Sequence, residues 1–270
     1  MRNYRRAFLR VALGASVLLL SPVGATVSVG DDAFWASKVF RQWSKDEANR
    51  ILNASPWAKT QEVRIKPAAS RRSVAGQTES SSARTPSTRA RQGELGGAQA
   101  PVDYKVTLRL RSALPVRQAL VRLRQLDAKY DRMNDAQRAA FDADRLTRGL
   151  LECPACGDNY VVTLSAKSVN SPGADFIYDG LKAVTLPLLK QTLYLANDRG
   201  ERRELVHFTP PKAPGEEAMF FFPRLDAEGK PLFTASDKKL LFRTSDSNVT
   251  SITNFEFDIA TLLLGGEVAF

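Results

Sequence analysis

The sequence has little of what most enzymes use for catalysis. It contains a single histidine, His207, and two cysteines, Cys153 and Cys156, in 270 residues. It has no Gly-x-Ser-x-Gly nucleophile turn, no glycine-rich phosphate loop and no His-Glu-x-x-His metal helix. His207 lies between apolar neighbours in a strand pattern, which is more typical of packing or of a sheet surface than of catalysis. The sequence therefore predicts no catalytic residues.

Long apolar runs are also lacking. A membrane-spanning helix needs about 18 to 20 consecutive apolar residues, and the apolar run from Val11 to Leu20 is shorter than that. An arginine-rich start precedes this run, and the small residues Val23-Gly24-Ala25 follow it. This order is typical of a signal peptide over residues 1–25, cleaved after Ala25. The sequence predicts an exported protein, periplasmic or secreted, without a membrane span.

Two export routes fit the signal segment. Residues 5–10, Arg-Arg-Ala-Phe-Leu-Arg, resemble the twin-arginine consensus, from which Tyr4 departs because Ser or Thr is usual there. General secretion, the Sec route, tolerates the same arginines, so both routes stay open. The cleavage site has no cysteine, which argues against a lipid-anchored lipoprotein.

The net charge of +10 is concentrated outside the predicted domain. Four arginines fall within the first ten residues, so the chain after Ala25 carries 35 basic against 29 acidic residues, about +6. A further +4 lies between Lys66 and Ala100, which leaves the folded parts close to neutral at about +2. A basic groove that follows a phosphate backbone is not expected, so nucleic acid is not predicted as a partner.

Residues 66–100 have the composition of a disordered basic linker. Ala, Ser, Arg, Gly, Thr and Gln dominate, no aromatic residue is present, and Val74 and Leu95 are the only large apolar side chains. Such a segment cannot bury enough surface to offset the entropy lost on ordering. We interpret it as a flexible tether. It is either a solvated spacer or an electrostatic attachment to an anionic envelope polymer or lipid.

Residues 26–65 predict a short helical segment ahead of the linker. Ser44 and Glu47 have the spacing of a capping box, so a helix should begin at Ser44 and end before Pro56. Four aromatic residues around this helix are more than it can bury alone. They are Trp35, Phe40, Trp43 and Trp57. We expect the segment to dock on the main domain as core, the alternative being an exposed aromatic site that stacks a ligand.

The pattern W-S-x-x-E-A-x-x-I-L-x-x-S-P-W-A over residues 43–58 resembles an uncharacterised family of exported soil-bacterial proteins that carry this motif just after the signal peptide. Looser agreement extends to Phe222-Pro223-Arg224 and Gly229-Lys230-Pro231. The resemblance implies an envelope or secreted location. It carries no activity and no functional residue over to this chain.

The main domain, residues 101–270, opens with a strand and a helical hairpin. Residues 104–110 alternate apolar and polar, which predicts one buried and one wet face. A helix is expected from Pro115, and a second from Asn134, which Gln137 completes as a capping box. Spacing places one set of side chains inward: Val116, Ala119, Leu120, Leu123, Leu126, Tyr130, Ala140, Ala143, Leu146 and Leu150. The arginines are expected on a solvated outer face: Arg117, Arg122, Arg124, Arg138, Arg145 and Arg148.

Strands and turns follow the hairpin. Residues 191–196 and 202–208 flank the turn Asn197–Gly200, and residues 218–222 and 231–234 flank a turn ending at Gly229. Hairpins mean antiparallel pairing. The predicted fold class is α+β: an antiparallel β-sheet or small sandwich with a helical hairpin, preceded by a short N-terminal helix and a disordered linker.

The pattern Cys153-Pro154-Ala155-Cys156-Gly157 admits three interpretations. In an oxidising compartment the default is a disulfide between Cys153 and Cys156 at the helix-to-strand corner. The pair also resembles a zinc-knuckle half-site, although His207 is the only histidine and further ligands would come from another chain. A thioredoxin-type redox site is disfavoured because it needs a helix beginning at the first cysteine, and here a helix ends there.

Glu256 and Asp258 lie on one side of the last strand, either as an acid/base pair or as part of a wet sheet face. We expect a non-enzymatic, exported cell-envelope binding or assembly component with an envelope or protein partner. No cofactor is expected, with zinc as the exception to test. The alternative is a thiol-redox or zinc-dependent enzyme that uses Cys153 and Cys156.

Overall fold

Two antiparallel sheets and a layer of helices make up the computed structural model, which describes residues 33–66, 100–173, 175–244 and 254–269. From Trp35 onward these residues belong to one compact unit. The predicted signal peptide and its cleavage site at Ala25 lie outside the described residues, as does the predicted linker from residue 67 to residue 99.

The strands in chain order are β1 Ala58–Ile65, β2 Val102–Leu110, β3 Asn159–Ser168, β4 Leu193–Asn197, β5 Arg202–Glu204, β6 His207–Thr209, β7 Ala218–Pro223, β8 Lys239–Thr244, β9 Phe255–Asp258, β10 Leu263–Leu264 and β11 Glu267–Val268. The first sheet has the order β1-β2-β3-β7-β6 and the second the order β5-β4-β8-β9, while β10 and β11 form a separate hairpin. All these strand pairs are antiparallel, so the predicted α+β class is confirmed.

The helices are α1 Phe34–Ser37, α2 Lys45–Asn53, α3 Leu114–Asp127, α4 Asp135–Ala143, α5 Arg145–Glu152, α6 Ala155–Asp158, α7 Phe176–Ala183 and α8 Leu186–Thr192. Short 3₁₀ turns occupy Phe40–Gln42, Tyr130–Arg132 and Ile259–Leu262. Helix α3 packs against both α2 and α5, which places it in the middle of the helical layer.

One face of β2 contributes its apolar side chains to the core between the two sheets. Tyr104, Val106, Leu108 and Leu110 are all buried on one face. The register carries that face across β3 to Phe220 and Phe222 of β7. Their rings lie 5.8 and 6.2 Å from the ring of Phe242, which belongs to the second sheet. Each such buried side chain contributes on the order of 2 to 3 kcal/mol, so this face holds the sandwich together.

Asp144 breaks the predicted second helix into α4 and α5. Its backbone leaves the helical region, with φ −56° and ψ 135°, and its carboxylate accepts a hydrogen bond from the Thr147 amide at 3.1 Å. Aspartate is one of the preferred N-cap residues, so a new helix begins at Arg145. The predicted inward face was wrong as a result: Ala140 and Ala143 are exposed and Leu146 is 55% exposed.

The predicted faces of α3 also need correction. Arg122, which was expected on the solvent side, is buried, as is Gln125, whereas Leu120, Leu123 and Leu126 are only half-buried. Helix α3 contacts α2 on one side and α5 on the other, so its buried surface is wider than one apolar stripe. A second correction concerns residues 231–234, which make only an isolated bridge from Pro231 to Leu225 instead of a strand.

The segment from residue 43 to residue 58 lies within the core. Trp43 is 1% exposed and Trp57 is fully buried, which leaves neither indole accessible for stacking an external ligand. The capping box of Ser44 and Glu47 is present at the start of α2. Strand β1, which the sequence did not predict, then pairs with β2 from Ala58 opposite Arg109 onward. The segment therefore contributes both a helix and an edge strand to the domain.

Two buried arginines hold α2 at its two ends. At the start, the Nε atom of Arg122 donates to the Trp43 carbonyl at 2.7 Å, while its two terminal nitrogens bind both carboxylate oxygens of Asp131. At the end, Arg109 donates to the carbonyl of Leu52 and to the side chain of Asn53. The positively charged Arg109 side chain thus lies at the C-terminal end of α2, which is the negative end of its helix dipole.

The burial of Trp57 gives a direct test of docking. Trp57→Ala should lower the free energy of unfolding of the mature protein by about 3 to 5 kcal/mol, because it leaves a large cavity in the core. Trp57→Phe is the matched control. The Trp57 Nε1 atom is buried and has no hydrogen-bond partner among the described residues. Trp57→Phe should therefore lower the free energy of unfolding by about 1.5 kcal/mol or less. Equal unfolding midpoints for wild type and Trp57→Ala in urea would contradict a docked core segment.

Candidate functional site

The two cysteines lie at the corner where the helical layer returns to the first sheet. Helix α5 ends at Glu152, and Cys153 takes the left-handed conformation with φ 47°. The single turn of α6 follows and leads directly into β3. Cys153 and Cys156 are joined by a disulfide in the structure, with 5.3 Å between their Cα atoms. The bridge fixes the direction in which the chain enters β3.

The other residues singled out by the sequence do not converge on this corner. His207 lies on the edge strand β6, exposed, with its ring 5.0 Å from the ring of Phe221. Glu256 and Asp258 lie on the exposed face of β9 and pair with Arg243 and Lys239 of β8. The Arg243 guanidinium lowers the pKa of Glu256, which is the opposite of what a general acid needs. The two carboxylates act as cross-strand partners.

No cluster of three or more His, Cys, Asp or Glu side chains suited to a metal ion occurs in the part of the chain that the structure describes. Cys153 and Cys156 thus have no third ligand within those ranges. Among the same residues, no helix is long and apolar enough to cross a membrane.

A cavity of about 430 Å³ opens beside the disulfide, between the start of α3, the end of α5 and the β10–β11 hairpin. Its walls include Ser112, Arg117, Cys156, Arg224, Leu264 and Glu267. Two guanidinium groups from elements far apart in sequence therefore meet in one cavity. Glu267, which also lines the cavity, is an exposed residue of β11.

Arg117 enters the cavity from the first turn of α3. One terminal nitrogen, Nη1, donates to the carbonyls of Leu151 and Glu152, which are the last carbonyls of α5. The Nε atom is buried and has no hydrogen-bond partner among the described residues. The solvated position expected for Arg117 was therefore wrong: the side chain is half-buried and joins α3 to the end of α5.

Arg224 enters the same cavity from the residue after β7. Its Nε atom donates to the Cys156 carbonyl at 2.7 Å, and its backbone amide donates to the Asp158 carbonyl at 2.9 Å. The guanidinium carbon lies 4.8 Å from the centre of the Tyr160 ring, a cation–π distance. These contacts tie the position of Arg224 to the loop that the disulfide closes.

The electrostatics of the cavity favour an anion. Burial lowers the pKa of Arg117, and the positive charge of Arg224 lowers it further. Burial also lowers the pKa of Arg224. Such shifts mean that both cations have lost hydration and that they repel each other. An anion between them would restore favourable interactions, since a guanidinium stays protonated in a protein and binds carboxylate or phosphate with paired N–H donors.

A second cavity of about 360 Å³ adjoins the first and shares Arg224 and Glu267 with it. Its other walls are largely apolar and include Tyr160, Phe233 and Val268. The Tyr160 hydroxyl accepts a hydrogen bond from the Phe233 amide at 3.3 Å, which fixes one wall. A ligand that places an anionic group at Arg117 could therefore extend an apolar part past Arg224.

Sequence reasoning missed this site because nothing local marks it. In the sequence, Arg117 has the spacing of a surface arginine on an amphipathic helix. Arg224 belongs to a segment noted only for its resemblance to other exported proteins. Comparison with family models, with curated proteins and with solved structures gave no match for this chain. The geometry is thus the only guide to the site.

The state of the cysteines has a simple test. The mature protein, denatured without reductant, should show no free thiol, and zinc should stay below about 0.1 equivalent per chain, because a bonded pair cannot supply thiolate ligands. Thiol titration and elemental analysis of the same sample measure both. A Cys153→Ser/Cys156→Ser variant serves as the blank. Two reactive thiols per chain, or zinc near half an equivalent, would instead support the redox or zinc alternative.

Proposed function

We propose that this protein is an exported, non-enzymatic binding component of the cell envelope, and that its ligand is held by an anionic group at the cavity of Arg117 and Arg224. The observation that carries the proposal is the meeting of two desolvated guanidinium groups at one open cavity. A desolvated cation gains more from a nearby anion than a solvated one does. A cavity that gathers two of them beside solvent is suited to receive an anion from outside.

The surroundings of the cavity support binding over catalysis. A general acid or base must lie within hydrogen-bond reach of the reacting atoms, yet the histidine and the carboxylate pair singled out by the sequence lie on other parts of the sheets. The two carboxylates that do line the cavity, Glu152 and Glu267, belong to exposed residues. Cys156 lines the cavity, but its sulfur is bonded to Cys153. The proposed export, signalled by residues 1–25, places such a protein where a disulfide persists.

The location in the envelope rests on the signal segment and on the basic segment from residue 66 to residue 100. The six basic residues of that segment would attract the anionic polymers or lipids of the envelope. In this proposal the segment raises the local concentration of the protein near an anionic surface, and the cavity provides the specific contact.

Anion titration of the mature protein tests the proposal. The protein should be isolated from the exported fraction with Thr26 as its first residue. At constant ionic strength, sodium acetate and sodium phosphate should shift backbone amide signals around Ser112 and Cys156 in NMR spectra. Arg117→Gln should weaken binding about 5- to 30-fold, the range expected for one charge-assisted hydrogen-bonding group. Arg145→Gln, on the exposed surface of α5, is the matched control.

The proposal fails if neither anion shifts these signals, or if Arg117→Gln and Arg145→Gln bind equally well. It also fails if the chain is recovered only inside the cell with residues 1–25 attached.

A further inference from the structure

The cavity of Arg117 and Arg224 and the second, largely apolar cavity form one continuous cleft. Arg224 and Glu267 line both cavities, so the two meet at these side chains. The β10–β11 hairpin is a wall common to both, since Leu264 lines the first cavity and Val268 lines the second. The cleft therefore has a charged end at Arg117 and an apolar end at Val268.

Aromatic and aliphatic side chains build the apolar end. The rings of Tyr160 and Phe233 are buried and meet edge to face, with 5.1 Å between their centres. Leu225 lines the same end and is 54% exposed, held there by an isolated bridge to Pro231. An apolar ligand group in the cleft would remove the exposed part of Leu225 from water, which is favourable in proportion to the area buried.

The hydroxyl groups at the apolar end are engaged within the protein. The Tyr160 hydroxyl accepts a hydrogen bond from the Phe233 amide at 3.3 Å. The Thr234 hydroxyl donates to the Asp237 carboxylate at 2.9 Å and lies 2.8 Å from the Ser236 hydroxyl. A sugar or a peptide would bring polar atoms that need new partners when they leave water. A hydrocarbon chain needs none, and therefore suits this end of the cleft.

The charged end favours a head group with a single negative charge. Arg117 and Arg224 line it together with Glu152 and Glu267, so the formal charges of the wall cancel. The two guanidinium groups are half-buried, whereas both glutamates are exposed, so a ligand anion gains more from the arginines than it loses to the glutamates. A carboxylate matches the paired N–H donors of a guanidinium. The second charge of a phosphate monoester would add repulsion from both glutamates.

We propose that the ligand is a medium-chain carboxylate of the fatty-acid class, with its head at Arg117 and Arg224 and its hydrocarbon chain along Tyr160, Leu225 and Val268. This inference rests on the proposed function, because it keeps the anion site and adds the apolar end of the cleft. One chain fits better than the two chains of a membrane phospholipid. The apolar cavity, at about 360 Å³, is near the lower limit of small-molecule sites, which span about 300 to 1,000 Å³.

NMR titration of the mature protein with carboxylates of increasing chain length tests the inference. Acetate, butanoate, hexanoate and octanoate are added at pH 7.5 and constant ionic strength, below the concentrations at which they form micelles. Each added CH₂ group should tighten binding about 2- to 4-fold, so octanoate should bind about 30-fold or more tightly than acetate. Acetate should shift amide signals around Ser112 and Cys156, and octanoate should also shift those around Thr234 and Val268.

Two further probes carry the octyl chain on other head groups. Octyltrimethylammonium should bind about 10-fold or more weakly than octanoate, because its head is a cation that cannot pair with a guanidinium. Octyl phosphate should bind no more tightly than octanoate, because its second charge faces Glu152 and Glu267. These probes separate recognition of a carboxylate amphiphile from general attraction of a hydrocarbon chain to an apolar surface.

Substitutions at the two ends of the cleft should act on different parts of the ligand. Leu225→Ser should lower the ratio of octanoate affinity to acetate affinity about 5-fold or more, because Leu225 lines only the apolar end. Leu188→Ser is the matched control, since Leu188 of α8 is 39% exposed and lines neither cavity. Arg117→Gln should weaken acetate and octanoate by the same factor, because head and chain contacts are separate.

Three results would each overturn the inference: equal affinities for acetate and octanoate, tighter binding of either other octyl probe than of octanoate, or an unchanged affinity ratio in Leu225→Ser. In those cases the proposed function stands as long as Arg117→Gln still weakens acetate binding. Absence of binding for every probe overturns both. Far-ultraviolet circular dichroism of each variant distinguishes a lost affinity from a lost fold.

Discussion

The burial of two guanidinium groups against backbone carbonyls is the constraint on which the structure depends. Arg122 is 4% exposed and Arg109 is 9% exposed, and their partners at Trp43 and Leu52 come from the N-terminal segment of residues 43–58. A buried arginine without acceptors would be strongly destabilising. The main domain therefore requires the segment from residue 43 to residue 58 to supply acceptors for its arginines, while that segment requires the domain to bury Trp43 and Trp57.

This mutual requirement also builds the cavity. Arg122 fixes the middle of α3 against the start of α2, and the same helix carries Arg117 at its other end. Arg109 fixes the end of β2 against the end of α2. Along α3, Arg122 serves the fold and Arg117 lines the cavity. Docking of the N-terminal segment therefore positions the helix that carries Arg117.

Local signals could be predicted from the sequence because they depend on neighbours in the chain. The apolar face of β2 and the capping boxes at Ser44 and Asn134 are present as expected. The wet face expected for β2 was wrong at Thr107 and Arg109, which are buried. The roles of Arg117 and Arg122 could not be predicted, since a buried arginine has the same spacing as a solvated one. Its burial depends on a carbonyl at Leu151 or Trp43 that only the tertiary fold brings near. The cavity has the same origin, which explains why composition alone gave no candidate site.

The most direct test of this account is the urea unfolding of an Arg122→Met variant, followed by tryptophan fluorescence and by far-ultraviolet circular dichroism. The methionine keeps much of the apolar stem but removes the Arg122 Nε–H that donates to the Trp43 carbonyl. We predict a loss of about 2 to 3 kcal/mol in the free energy of unfolding, with both probes reporting one coincident transition, as for a single cooperative unit. An unchanged midpoint, or a fluorescence transition well before the circular dichroism transition in the wild-type protein, would contradict the claim that the arginines bind the N-terminal segment into the domain.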